Sequence, residues 1–185
     1  MLSKEKELEK LNKQIKSCRK CSLWKTRKNT VQGEGPATAK IIFIGEAPGR
    51  EEDRTGRPFC GRAGKLLDKL LKENKINREK VYITSVVKCR PPRNRKPKSI
   101  ELKNCRPFWQ KQIEIINPQK IVILGKTAFD EVIGLGELKN CRGKWLKIKN
   151  RLYFSTYHPA AGLRFPKIKK ILEKDFKKLK NSIDS

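Results

Sequence analysis

Apolar residues along this chain follow two spacings. Leu8, Leu11 and Ile15 recur every three or four positions, as along one face of a helix over 1–17. Ile41-Ile42-Phe43-Ile44 is instead an unbroken apolar run closed by Gly45, and Ile121-Val122-Ile123-Leu124 is a second, closed by Gly125. Short runs of this kind mark strands buried on both faces. Leu66, Leu67, Leu70 and Leu71 restore the helical stripe over 64–75, and the β-branched stretch 81–87 reads as a strand. Ser99 as an N-cap predicts a helix over 100–116. A helical stretch over 126–133, a fourth strand over 152–157 and a closing helix from Arg164 onward complete the pattern. No repeat and no Gly/Ser linker divides it, so one domain over 1–185 is expected.

Four strands separated by helical connections predict an α/β fold, a parallel or mostly parallel sheet covered by helices on both faces. Ligands of such sheets sit outside the carboxyl ends of the strands. The unusual residues fall at that edge: Gly45-Glu46-Ala47-Pro48-Gly49 after the first strand, Ser85 near the end of the second, Gly125-Lys126-Thr127 after the third and His158-Pro159-Ala160-Ala161 after the fourth.

Charge changes the picture next. The 185 residues carry 46 Lys+Arg against 19 Asp+Glu, a formal net charge of +27, while 36% hydrophobic residues still supply a core. Disorder is thereby disfavoured. No stretch approaches the roughly 18 apolar residues of a membrane span, and residues 1–17 lack the apolar segment of a secretory signal, so a cytoplasmic, nucleoid-associated protein is expected. The cations are clustered: Lys88, Arg90, Arg93, Arg95, Lys96 and Lys98 occupy eleven residues without an acid, and 164–180 adds eight more cations. Such clustering points to a polyanion, nucleic acid being the commonest, although solvated basic faces share this composition.

Two apparent phosphate loops fail on inspection. Residues 56–63 have Walker-like glycine spacing but lack the Lys and Ser/Thr, and Gly125-Lys126-Thr127 lacks the preceding glycine loop. Gly45 to Gly49 has the wrong spacing for a dinucleotide fingerprint, and Pro48 removes an amide donor. The cysteines carry more. Cys18 and Cys21 form a Cys-x-x-Cys pair, and Cys89 and Cys105 flank the basic loop. Four thiolates from two segments can hold Zn²⁺ or an iron–sulfur cluster, with a redox pair or unligated buried thiols as the plainer alternatives. Cys60 and Cys141 read as ordinary small apolar residues. His158, the one histidine, stands at a strand end before Pro159, a position open to a structural or a functional role. Glu46 can orient water or bind a base edge, or simply cap a helix or form a salt bridge. Phe59 can stack on a flat ligand or pack on the core.

Taken together, several of these blocks carry a resemblance. Gly45-Glu46-Ala47-Pro48-Gly49, Glu52-Asp53, Thr55-Gly56-Arg57-Pro58-Phe59 and Gly61-Arg62-Ala63-Gly64 resemble the first motif block of the family 4 uracil-DNA glycosylases. Tyr82-Ile83-Thr84, Val87-Lys88-Cys89-Arg90-Pro91-Pro92 and Tyr157-His158-Pro159-Ala160 are similar to its later blocks, and the similarity runs from about Cys18 to Arg164.

The resemblance implies a three-layer α/β/α sandwich around a four-stranded parallel sheet, and a four-iron four-sulfur (4Fe–4S) cluster on Cys18, Cys21, Cys89 and Cys105, with zinc as the alternative. It implies a monofunctional DNA glycosylase that hydrolyses the N-glycosidic bond of uracil in DNA, the first step of base excision repair. Glu46 and His158 are then catalytic, Gly45, Glu46, Ala47, Phe59, Ser85 and His158 bind the base, and Arg62, Arg90, Arg93, Arg95, Lys96 and Arg164 are candidate contacts to DNA phosphates. The expected partner is DNA holding uracil or another deaminated base, and a monomer is expected. Two positions depart from the pattern. Ser85 stands where an Asn commonly reads the base edge, which admits another base such as hypoxanthine, or a weakly catalytic lesion or single-strand binder. Gly162 stands where a bulky apolar wedge is common, with Leu163 as its substitute. A zinc-stabilised RNA-binding protein is the third reading.

Overall fold

The computed structural model describes residues 3–181. Met1 and Leu2, included in the helix expected over 1–17, lie outside the described residues. Helix α1 spans Lys4–Lys16, and strand β1 spans Ile41–Gly45. Helices α2 (Arg50–Thr55) and α3 (Arg62–Glu73) lead to β2 (Tyr82–Ser85) and the long α4 (Ser99–Ile116). Strand β3 (Lys120–Leu124) is followed by α5 (Lys126–Val132) and α6 (Leu138–Cys141). Strands β4 (Trp145–Ile148) and β5 (Arg151–Thr156) precede α7 (Pro159–Arg164) and α8 (Pro166–Asn181).

The sheet has five strands in the order β2-β1-β3-β5-β4. The four expected strands pair in parallel, and β4 adds an antiparallel edge to β5 through a tight turn at Lys149 and Asn150. This fifth strand corrects the four-stranded expectation. Its residues Trp145, Leu146 and Ile148 are only partly buried and Lys147 is exposed, so no continuous apolar run announces it. Strand β2 ends at Ser85, short of the expected 87, but Val86 and Val87 still donate to Gly45 O (2.9 Å) and Glu46 O (3.1 Å) beyond the regular ladder. Helix α4 begins at Ser99 itself, with Lys98 as its N-cap, because the Glu101 carboxylate takes the Lys98 N–H at 2.8 Å.

Successive strand residues point to opposite faces and so build two cores. Ile42, Ile44, Ile121 and Ile123 join Leu8, Leu11, Ile15, Phe108 and Ile113 from α1 and α4. Ile41, Phe43, Val122, Leu124 and Phe154 join Leu66, Leu67, Leu70, Leu172 and Phe176 from α3 and α8. The result is the three-layer sandwich, each fully buried Ile, Leu or Phe contributing about 1.5–3 kcal/mol of transfer free energy. A buried ion pair locks α8 onto the sheet: Asp175 accepts from Arg142 at 2.8 and 3.0 Å and from the Thr156 hydroxyl at 2.7 Å. Among the described residues no helix is long and apolar enough to cross a membrane.

Candidate active site

Four chain segments meet at the carboxyl ends of β1, β2 and β5. Gly45 closes β1 opposite Ser85 at the end of β2. The Phe59 ring fills the space beside Gly45, where a β-carbon would lie 2.6 Å from Phe59 Cζ and 3.5 Å from Ser85 Oγ. On its other side Phe59 meets His158, with ring centroids 5.5 Å apart and planes tilted by 30°. Gly45 therefore makes room for the Phe59 ring. Phe59 is buried in the α3 and α8 core as well, so packing and site geometry share one residue.

The loop that carries Phe59 is held by residues whose roles were not legible in the sequence. Glu52 receives the backbone N–H groups of Gly49 (3.1 Å), Cys60 (3.0 Å) and Gly61 (2.8 Å), tying the loop after β1 to the loop before α3. Asp53, buried, receives those of Lys28 (2.9 Å) and Asn29 (3.3 Å). Phe59 itself has φ +49°, a conformation uncommon for a bulky residue. An acid shortly after a Gly-rich strand end was the available signal for Glu52. Glu46 and Ala47 lie half-buried at the loop start, and the cap of α2 is Gly49, so Glu46 serves as neither cap nor ion-pair partner among the described residues.

His158 caps α7, its Nδ1 accepting the Ala160 N–H at 3.1 Å. That bond leaves the ring proton on Nε2, which can donate to a ligand. The ring keeps some exposed surface, yet protein crowds most of it, and this desolvation pushes its pKa down to about 4. At neutral pH His158 is a neutral donor. Gly125, with φ +96°, passes so close that a β-carbon on it would lie 2.8 Å from His158 Cβ.

The four cysteines singled out by spacing line one narrow cavity, part of it open to solvent, with Ile15, Leu23, Val87 and Phe108 between them. Among the described residues no three acids, histidines or cysteines converge closely enough to hold a single ion. Burial raises the thiols of Cys21 and Cys89, and pushes Cys105 up to about 12. A redox pair needs a lowered thiol, and that of Cys21 is raised instead. Arg27 donates to Cys89 Sγ at 3.2 Å, and the Lys88 N–H to Cys105 Sγ at 3.3 Å. Donors aimed at sulfur suit ligands that carry negative charge when a metal centre is bound.

Structure also sorts the basic residues. Arg62, Arg93, Lys96 and Arg164 are exposed, and Arg90 is half-buried with its Nε on Asn94 at 2.7 Å. Arg95, still about one-third exposed, forms a two-point pair with the buried Glu101 at 2.6 and 2.8 Å, which engages both of its terminal nitrogens. Lys88 is wholly buried and leaves the basic surface. Gly162 faces inward, where a β-carbon would stand 2.7 Å from Leu172 Cδ1, while Leu163 and Phe165 on the same stretch are exposed.

With this geometry in place, comparison with known proteins is specific. The family model of the uracil DNA glycosylase superfamily matches residues 32–180. The chain is 48% identical to a type-4 uracil-DNA glycosylase of Sulfurisphaera tokodaii, over 94% of this chain and 83% of that protein. It is 46% identical to the type-4 enzyme of Saccharolobus solfataricus, covering 93% and 84%, and 43% identical to that of Thermotoga maritima, covering 99% and 98%. Matched over nearly its whole length by these relatives, the chain belongs to the type-4 uracil-DNA glycosylases of the uracil DNA glycosylase superfamily.

Proposed function

We propose that this chain is a uracil-DNA glycosylase, a hydrolase that cleaves the N-glycosidic bond of uracil in DNA and leaves an abasic site. The observation that carries the reading is the convergence of Gly45-Glu46, Phe59, Ser85 and His158 at one strand edge, with Phe59 and His158 in contact at 5.5 Å between centroids. Uracil in a duplex is stacked, so it must be flipped into this edge at a cost of about a few kcal/mol. Phosphate contacts from Arg62, Arg93, Lys96 and Arg164 offset that cost. Leu163 and Phe165 are exposed in and just beyond α7 and supply apolar side chains for the vacated stack.

In the pocket the Phe59 ring stacks on the base and the Ser85 hydroxyl meets its edge. As the C1′–N1 bond breaks, its electron pair leaves with the base and negative charge spreads to O2. His158 Nε2–H donates to that oxygen, and being neutral it needs no proton from solvent to do so. Glu46 orients the water whose oxygen bonds to C1′, and the proton that water gives up neutralises the departing uracil anion, completing hydrolysis. No lysine is placed as a nucleophile, and the enzyme is monofunctional.

The thiol cavity fits a 4Fe–4S cluster better than zinc. A tetrahedral zinc draws four sulfurs to about 2.3 Å from one point, whereas among the described residues no three of these thiols converge closely enough to hold a single ion. Cys18, Cys21, Cys89 and Cys105 would hold the cluster, whose contribution is a cross-link between the segment after α1 and the segment that follows β2.

The test is base release from a duplex with one deoxyuridine opposite guanine, beside a hypoxanthine duplex. We expect uracil release that His158→Ala reduces by about a hundredfold or more. Release of hypoxanthine alone would transfer the specificity to the Ser85 pocket, and release of neither base would overturn the enzyme.

A further inference from the structure

Ser85 at the base edge and Cys89 at the thiol cavity are only four positions apart, and the segment that joins them is tied down. Ser85 pairs with Gly45 in the sheet, Val86 N–H donates to Gly45 O at 2.9 Å, and Val87 N–H donates to Glu46 O at 3.1 Å. The next amide, that of Lys88, turns the other way and donates to Cys105 Sγ at 3.3 Å. Cys89 follows at once. Segment 85–88 is thus a short covalent and hydrogen-bonded path from Glu46 to the cavity.

Lys88 is the unexpected member of this path. Its side chain is 1% exposed and lies under the sheet edge instead of in solvent. Nζ donates to Ser85 O at 2.8 Å, Thr84 Oγ1 at 2.5 Å and Gln112 Oε1 at 2.7 Å. Three acceptors match the three N–H bonds of an ammonium. Gln112 in turn donates to Gln32 O at 2.5 Å and to the Tyr82 hydroxyl at 3.1 Å, so the acceptors are themselves fixed. The Lys88 carbonyl accepts Val31 N–H at 2.8 Å. Burying a lysine is costly unless every donor is satisfied, and here two donors hold the end of β2 and the third ties it to Gln112 of α4.

We propose that Lys88 is a positioning residue: it locks segment 85–88 so that the placement of the cysteine-held centre sets the placement of Ser85 and Glu46 at the base. The proposal rests on the functional reading above for its consequence in catalysis, but the lock itself is a property of the fold. It gives the cavity a role in the reaction without contact between the two sites. Movement at Cys89 or Cys105 passes through the Lys88 peptide into the amides that hold Gly45 O and Glu46 O.

Lys88→Met keeps the length and removes all three donors. In the cluster-loaded enzyme we expect kcat for uracil release to fall about tenfold or more, with KM for DNA within about twofold because phosphate contacts are untouched. Hydrogen exchange at the amides of Val86 and Val87 should quicken by a similar factor. Wild-type exchange at both amides, or wild-type kcat in an enzyme whose wild type is active, would overturn the lock. If the wild type released no uracil, the functional reading would fall and exchange alone would decide the lock. If Lys88→Met did not fold, Thr84→Val, which removes one acceptor and keeps the lysine, decides instead, and unchanged exchange there overturns it.

Discussion

Gly64 lies against the Phe59 carbonyl so closely that a β-carbon would stand 1.8 Å from its oxygen. The first turn of α3 is therefore what holds Phe59 against Gly45 and His158. Gly64→Ala must push the loop outward and carry the ring with it. A misplacement of about 1 Å costs on the order of a hundredfold in rate, and overpacking costs about 1–3 kcal/mol. Steady-state uracil release and the denaturant midpoint check both, and wild-type kcat in this variant would show that Phe59 position does not matter.

Depression of the His158 pKa has a definite sign. Its folded value of about 4 lies below the ordinary value of 6.5. Between pH 6.5 and 4 the unfolded chain takes up a proton that the native site refuses, so stability from this group is full above pH 6.5 and lost as pH falls toward 4. Activity should accordingly show no loss from His158 titration between about pH 7 and 5.5. An acidic limb centred near the ordinary histidine value that vanishes in His158→Gln would contradict the neutral donor.

Arg142 and Asp175 govern how firmly α8 is held. Asp175 is buried at the sheet edge and accepts from Arg142 and Thr156. Arg142→Leu leaves its carboxylate uncompensated and should destabilise the protein by about 3–5 kcal/mol. Urea unfolding measures it. A loss under about 1 kcal/mol would mean that water reaches the carboxylate.

Salt dependence separates the basic residues that the structure sorted. Alanine at Arg62, Arg93, Lys96 or Arg164 should lower the slope of log affinity against log salt by about 0.9 for each phosphate that the substitution leaves unneutralised. Arg95→Ala should leave the slope unchanged and reduce stability instead, because its guanidinium holds the buried Glu101. Titrations of uncleavable DNA at several salt concentrations read the slopes, and equal slopes for all five variants would refute the sorting.

The parallel strands were legible because burial on both faces leaves no polar position in Ile41–Ile44 or Ile121–Leu124, and the two cores then follow from alternation along each strand. The site was legible because its motif residues lie at strand ends, where chain order alone brings Gly45, Ser85 and His158 to one edge. β4 was not legible, since an edge strand with Lys147 in it shows no unbroken apolar run. In the basic run Lys88 and Arg95 resemble their neighbours, and only the packing of α4 against β2 and the loop after it supplies the acceptors on Gln112 and Glu101 that bury the one and pair the other.

What the sequence by itself determined is the alternation of strand and helix, the edge at which the chemistry lies, the four thiols of the cavity and the excess of positive charge. These depend on the order of residue types along the chain. Tertiary structure alone decided which cations remain free for phosphate, why Gly45 and Gly64 lack side chains, and how Glu46 is joined to Cys105 through Lys88. Each of these depends on a contact between segments set beside one another by folding, and such contacts are fixed by the packing of layers, not by the local pattern.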